Sequence, residues 1–187
     1  MSLLRLEHVA CLRGGRLLFE GLSLELGAGE AALVTGANGA GKSSLLRLCA
    51  GLLRPAAGAV ERAEAPVGFA DEALALDTRL TLARALGFWA RIDGGRPEAG
   101  MEAMGLAHLA AVPVSMLSTG QRKRAVLARV VASGARLWLL DEPANGLDAE
   151  GQDRLTAAMA AHRAAGGAVL AASHQPVELE DAKAVAL

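Results

Sequence analysis

Apolar and polar positions follow two rhythms along this chain. The opening segment alternates, with Leu4 and Leu6 and later Leu22, Leu24 and Leu26 set between polar or small residues, which predicts antiparallel strands. From residue 31 the rhythm changes. Ala31-Ala32-Leu33-Val34, Leu137-Trp138-Leu139-Leu140 and Ala168-Val169-Leu170-Ala171-Ala172 are short unbroken apolar runs, the pattern of parallel strands buried on both faces. Val67-Gly68-Phe69 reads as another strand, Val60 marks one within the loop-rich stretch 54–68, and 184–187 reads as an edge strand. Helical spacing covers 43–50, stopped by Gly51, then 78–91, 98–109, 121–132 and 150–164. Apolar strands alternating with helices predict an α/β fold with a parallel sheet, and 78–132 reads as a helical insertion into it.

Length and composition narrow the picture. With 187 residues the chain is expected to form one domain over 1–187. Apolar residues make up 52% and aromatics only 3%, so the core must be built from small aliphatic side chains. Nineteen Lys and Arg against 20 Asp and Glu give a net charge of −1, which supplies no electrostatic ground for a nucleic-acid partner. Arg, Glu, Asp or Gly interrupts every apolar run before the ~18 residues that a membrane span needs. The first residues, Met1-Ser2-Leu3-Leu4-Arg5-Leu6-Glu7, lack the basic-then-apolar plan of a secretion signal. Cys11 and Cys49 are too few for a disulfide framework and read as small core residues. A soluble cytosolic domain is expected, one that needs a partner for any work at a membrane.

The strongest chemistry lies between the strand at 31–34 and the helix at 43–50. Gly36-Ala37-Asn38-Gly39-Ala40-Gly41-Lys42-Ser43 fills the pattern G-x-x-x-x-G-K-[ST]. Glycines let successive backbone N–H groups converge on a phosphate that side chains would block, and the helix that follows adds its positive end. Lys42 is expected to reach the β- and γ-phosphates and the Ser43 hydroxyl to bind Mg²⁺, with Ser44 next in the loop. The chain thus reads as a nucleoside triphosphate binder. The apolar strand 137–140 ends in Asp141-Glu142, at the carboxyl edge where α/β sheets hold ligands. Asp141 is expected to face the magnesium ion, and Glu142 to orient and deprotonate a water for attack on the γ-phosphate. Leu117-Ser118-Thr119-Gly120-Gln121 precedes a strong helix, where Ser118 is a good N-cap and, with the Gly120 N–H, makes an anion site.

In this order and spacing the elements resemble the ATP-binding subunits of ABC transporters, over nearly the whole chain. The resemblance implies a P-loop NTPase of the ABC ATPase type, with an antiparallel β subdomain and a helical insertion carrying the signature loop at Ser118, Gly120 and Gln121. It also implies that Asn145-Gly146-Leu147-Asp148 is the dimer loop and His174 the switch histidine, which bonds the γ-phosphate and holds Glu142 and the water. In that family two subunits sandwich ATP and Mg²⁺ head to tail, so a homodimer on ATP binding and integral-membrane partner subunits are implied.

Three departures stand out. Arg13 occupies the place of the usual adenine-stacking aromatic, where its guanidinium could stack on a base or serve as a solvated turn residue. The glutamine usual after the strand at 67–69 is missing, leaving Asp71 or Glu72 as substitutes near the metal. Thr119 replaces a signature glycine, which would strain the loop if that position needed a positive φ. Arg122-Lys123-Arg124 reads as a solvated helix face. Of Phe88 and Trp89 one is expected in the core, and the other could meet a helix of a membrane subunit.

Several stretches, among them Leu17-Leu18-Phe19-Glu20-Gly21-Leu22 and Ala85-Leu86-Gly87-Phe88-Trp89-Ala90-Arg91, are similar to the haem-exporter ATPases of cytochrome c maturation. That likeness implies a peripheral ATPase on the cytoplasmic face of the inner membrane, driving membrane partners in haem delivery or release of a haem chaperone, with haem only an indirect partner. Two other classes stay open at this point: a soluble mechanical ATPase of the same superfamily, acting in DNA repair or on ribosomes, and a catalytically weak ATP-binding scaffold. The first usually carries coiled-coil insertions or tandem cassettes that this chain lacks, and intact Lys42, Asp141, Glu142 and His174 weigh against the second.

Overall fold

A computed structural model describes residues 2–175 and 177–187. The alternating N-terminal segment forms β1 (Ser2–Arg13) and β2 (Arg16–Gly27), which pair antiparallel. β4 (Ala57–Arg62) joins β1 on its other side, giving the order β2-β1-β4. The unbroken apolar runs form a parallel sheet. β3 (Ala31–Thr35), β5 (Val67–Ala70), β6 (Leu137–Asp141), β7 (Ala168–Ala172) and β8 (Lys183–Ala186) lie in the order β5-β6-β7-β3-β8. Every residue of β6 and β7 is buried, as expected of strands covered on both faces. β8 is an edge strand, as its sequence predicts.

Side chains alternate across this sheet and divide the interior into two apolar cores. Leu137, Leu139, Leu170 and Val34 face one core, which the phosphate-loop helix α1 (Lys42–Ala50) and the antiparallel sheet fill. Trp138, Leu140, Val169 and Ala171 face the other, filled by α2 (Leu82–Asp93), α4 (Thr119–Ala132) and α5 (Ala149–Ala164). Leu, Ala and Val supply most of both, as the low aromatic content demands, and Cys11 and Cys49 are buried.

Two helices differ from the sequence expectation. The helix predicted over 78–91 begins at Leu82, because a local turn and two longer-range contacts occupy the residues ahead of it. Asp77 accepts the Arg79 N–H, Thr81 pairs with Pro113 as an isolated bridge, and the Leu82 N–H reaches the Val112 carbonyl at 2.9 Å. The helix predicted over 98–109 is instead a short α3 (Pro97–Ala103) and a 3₁₀ turn (Ala107–Leu109). Between them Gly105 takes φ +66°, a left-handed conformation that ends a right-handed helix. α3 packs so closely on α4 that a Cβ at Gly100 would lie 2.1 Å from the Ala128 carbonyl oxygen.

Candidate nucleotide site and family

The carboxyl ends of β3, β6 and β7 open into one cleft of about 650 Å³, lined among others by Gly39, Lys42, Ser43, Asp141, Glu142 and His174. Between β3 and α1 the backbone turns through Gly36 (φ +150°) and Gly41 (φ +114°), conformations that side chains rarely adopt. Lys42 is 7% exposed and its Nζ donates to the Gly36 carbonyl at 2.9 Å and the Ala37 carbonyl at 3.4 Å. The lysine therefore clasps its own loop from inside. Asn38 and Ser44 also line the cleft, and Ala40 closes the turn by donating its N–H to the Ala37 carbonyl at 3.1 Å.

Asp141 ends β6 almost fully buried beside the Ser43 hydroxyl, and its Oδ1 has no hydrogen-bond partner. Burial pushes its carboxyl above the ordinary range and the neighbouring Glu142 charge adds to this, against the Ser43 hydroxyl. A buried carboxylate with an unsatisfied oxygen next to a hydroxyl fits a hard divalent cation. Among the described residues no group of three or more His, Cys, Asp or Glu is placed to hold a metal. A magnesium ion here would therefore take much of its shell from phosphate and water, as this ion commonly does.

Glu142 follows with φ +46°, a sparsely populated conformation for a residue with a side chain. The twist turns its carboxylate toward the end of β7. There it accepts the His174 Nδ1–H at 2.8 Å, the His174 backbone N–H at 3.2 Å and the Ser173 hydroxyl at 3.2 Å. Burial alone would raise this carboxyl, but the bonds from His174 and Ser173 outweigh it and hold the group below its ordinary value. Glu142 is thus kept ionised and aimed, the state a base needs.

The departures have local solutions. Asp71 lines the cleft, pairs with Arg47 at 3.6 Å and accepts the Ala73 N–H at 3.0 Å, and Glu72 lies beside it. Arg13 lines the cleft together with Leu18. Thr119 is not strained: it begins α4 with helical backbone, so no positive φ is required of it. The basic run 122–124 is not a plain solvated face either. Arg124 donates to the Met104 carbonyl at 3.2 Å, and Lys123 is half-buried near Glu72, Asp141, Glu142 and Asp71, with burial lowering its ammonium pKa against their pull. Trp89 packs against the core, donates from Nε1 to the Ala75 carbonyl at 2.7 Å and lies under the Arg129 guanidinium, while Phe88 is exposed.

Arg47 and Asn145 line the cleft without having been singled out for it. Arg47 stands four positions after Ser43, one helical turn along the same face, and that spacing was the available signal. Ser118, Gly120 and Gln121 do not line the cleft. They sit at the start of α4 in a complete capping box, Gln121 N–H to the Ser118 hydroxyl at 3.2 Å and Ser118 N–H to the Gln121 carboxamide at 2.8 Å.

The phosphate loop and the acids at the carboxyl end of β6 together fit a nucleoside triphosphate. Residues 19–145 match the ABC transporter family, to which this chain belongs as an ATP-binding, ATP-hydrolysing subunit that works with membrane partner subunits. Solved structures agree. An inward-facing metal-chelate type ABC transporter is similar with a TM-score of 0.77 and 26% identity, over 94% of this chain and 74% of that one. The ATP-binding subunit of another ABC transporter shares the fold at TM-score 0.80, with 22% identity over 92% and 79%.

Within the family the chain belongs with the cytochrome c biogenesis ATP-binding export proteins. It is 59% identical to that protein of Sphingopyxis alaskensis over 96% of this chain and 93% of the relative. It is also 59% identical to that of Novosphingobium aromaticivorans, over 96% and 92%, and 56% identical to that of Zymomonas mobilis, over 97% and 82%.

Proposed function

We propose that this protein, a single ATP-binding domain over 1–187 with 78–132 as its helical subdomain, hydrolyses Mg²⁺–ATP between two head-to-tail copies. In this reading hydrolysis powers integral-membrane subunits in haem delivery or in release of a haem chaperone during cytochrome c biogenesis. The observation that carries it is the gathering of Lys42, Ser43, Asp141, Glu142 and His174 around one cleft, while Ser118 stands outside it. Ser118, Gly120 and Gln121 can meet a terminal phosphate only if a second copy brings it. A transferring phosphoryl group needs donors on several sides, and one copy's cleft supplies only part of them.

The roles follow from position. The loop 36–41 receives the phosphates on its backbone, and Lys42 exchanges its bonds to the Gly36 and Ala37 carbonyls for phosphate oxygens. Ser43 and Asp141 would hold magnesium, which supplies charge neutralisation for the phosphates when bound. Glu142 takes a proton from the attacking water. His174, bonded to Glu142 through Nδ1, can also donate from Nε2 to the γ-phosphate when both ring nitrogens carry protons. Arg13 and Leu18 offer the base a guanidinium plane and an apolar wall.

Among the described residues no helix is long and apolar enough to cross a membrane, and a peripheral place on the cytoplasmic face of the inner membrane fits this reading. The test is sedimentation of Glu142→Gln with and without ATP and Mg²⁺. Arrested hydrolysis should shift it from monomer to dimer, and monomer under all conditions would sink the two-copy reading.

A further inference from the structure

The turn that enters the signature loop is held by a side chain that follows it. Arg122, in the first turn of α4, folds back toward the N-terminus. Its Nε donates to the Leu117 carbonyl at 2.9 Å and its Nη2 to the Ser115 carbonyl at 3.0 Å. The Arg122 backbone N–H meanwhile bonds the Ser118 carbonyl at 2.8 Å, as part of the helix. One residue thus grips the loop at three points around Ser118.

The chemistry at this spot gives the grip a purpose. A helix start that receives an anion must offer donors, and two nearby carbonyl oxygens bring the wrong partial charge. A guanidinium spanning both satisfies and neutralises them in a fixed geometry. Ser118 uses its oxygen to accept the Gln121 N–H, which leaves the hydroxyl proton to donate outward. Gln121 fixes this cap from the helix side and Arg122 from the loop side.

We propose that Arg122 is a positioning residue for ATP hydrolysis, holding 115–117 so that the Ser118 hydroxyl points at the nucleotide carried by the second copy. This rests on the two-copy reading above. Lysine at 122 would keep the charge but not the fork that spans two carbonyls.

The test combines Arg122→Ala and Arg122→Lys with Glu142→Gln in the full chain, following ATP-driven association by sedimentation and binding of a fluorescent ATP analogue to the unassociated chain. For Arg122→Ala the nucleotide concentration giving half association should rise about tenfold or more, the scale of a misplaced contact. Analogue binding should stay within about twofold, because the phosphate loop is untouched and the chain remains folded. Arg122→Lys should recover only part of the loss.

Unchanged association of Arg122→Ala overturns the proposal, as does an equal loss of analogue binding, which would mean general damage. Full recovery with lysine overturns the fork and leaves charge alone as the cause. If Glu142→Gln with Arg122 intact stays monomeric, the two-copy reading falls and takes this proposal with it.

Discussion

At the scale of single residues, the site sets stability against chemistry. Asp141 carries a charge into a buried place where one of its oxygens is unsatisfied, an arrangement that costs the fold free energy. Asp141→Asn should therefore raise resistance to urea by about 1 kcal/mol while abolishing magnesium-dependent turnover. Equal or lower stability in the denaturation curve would show that the carboxylate is better satisfied than its geometry indicates. Lys42, by contrast, is buried with partners, its charge spread over two carbonyls, and needs no such trade. This chemistry was legible in the sequence because the phosphate loop is contiguous, each residue acting on its neighbours. The pairs that cross the chain were not. Arg47 meets Asp71, and Arg129 donates to the Phe69 carbonyl, only because strand order brings distant segments together.

At the scale of elements, α4 is the part on which most depends. Its first turn is closed by the Ser118–Gln121 capping box, so Ser118→Ala should cost about 1 kcal/mol in chemical denaturation as well as weakening ATP-driven association. A variant that lost association but no stability would mean that the cap contributes nothing to the helix. Farther along, α4 receives α3 at Gly100 with no room for a methyl group. Gly100→Ala should destabilise the protein by about 1–3 kcal/mol through overpacking, measurable as a lower melting temperature. Periodicity reveals such helices well in their interiors and poorly at their ends. The start of α2 depends on the Val112 carbonyl thirty residues away, and the break after α3 on one glycine with positive φ. The unbroken apolar strands were the easiest to read, because burial on both faces leaves no polar position to confuse the pattern.

At the scale of the whole molecule, the exposed side of α2 matters. Phe88 and Ile92 lie one helical turn apart and are 48% and 63% exposed, an apolar pair beside the Trp89 side chain that anchors the helix inward. We propose this exposed pair as a contact for the membrane subunits. Phe88→Asp should leave binding of ATP unchanged while reducing co-isolation with the membrane subunits from solubilised membranes. Retained co-isolation would move the contact elsewhere. Phosphate chemistry is written in local motifs, whereas docking is written in surface shape that a linear pattern does not display.

The central sheet keeps the fuel-gripping half and the half carrying α2 and α4 in two apolar clusters, with alternate side chains of the same strands facing each. A lineage could rebuild the exposed face of α2 to suit a new membrane companion while the engine behind the partition kept running unchanged.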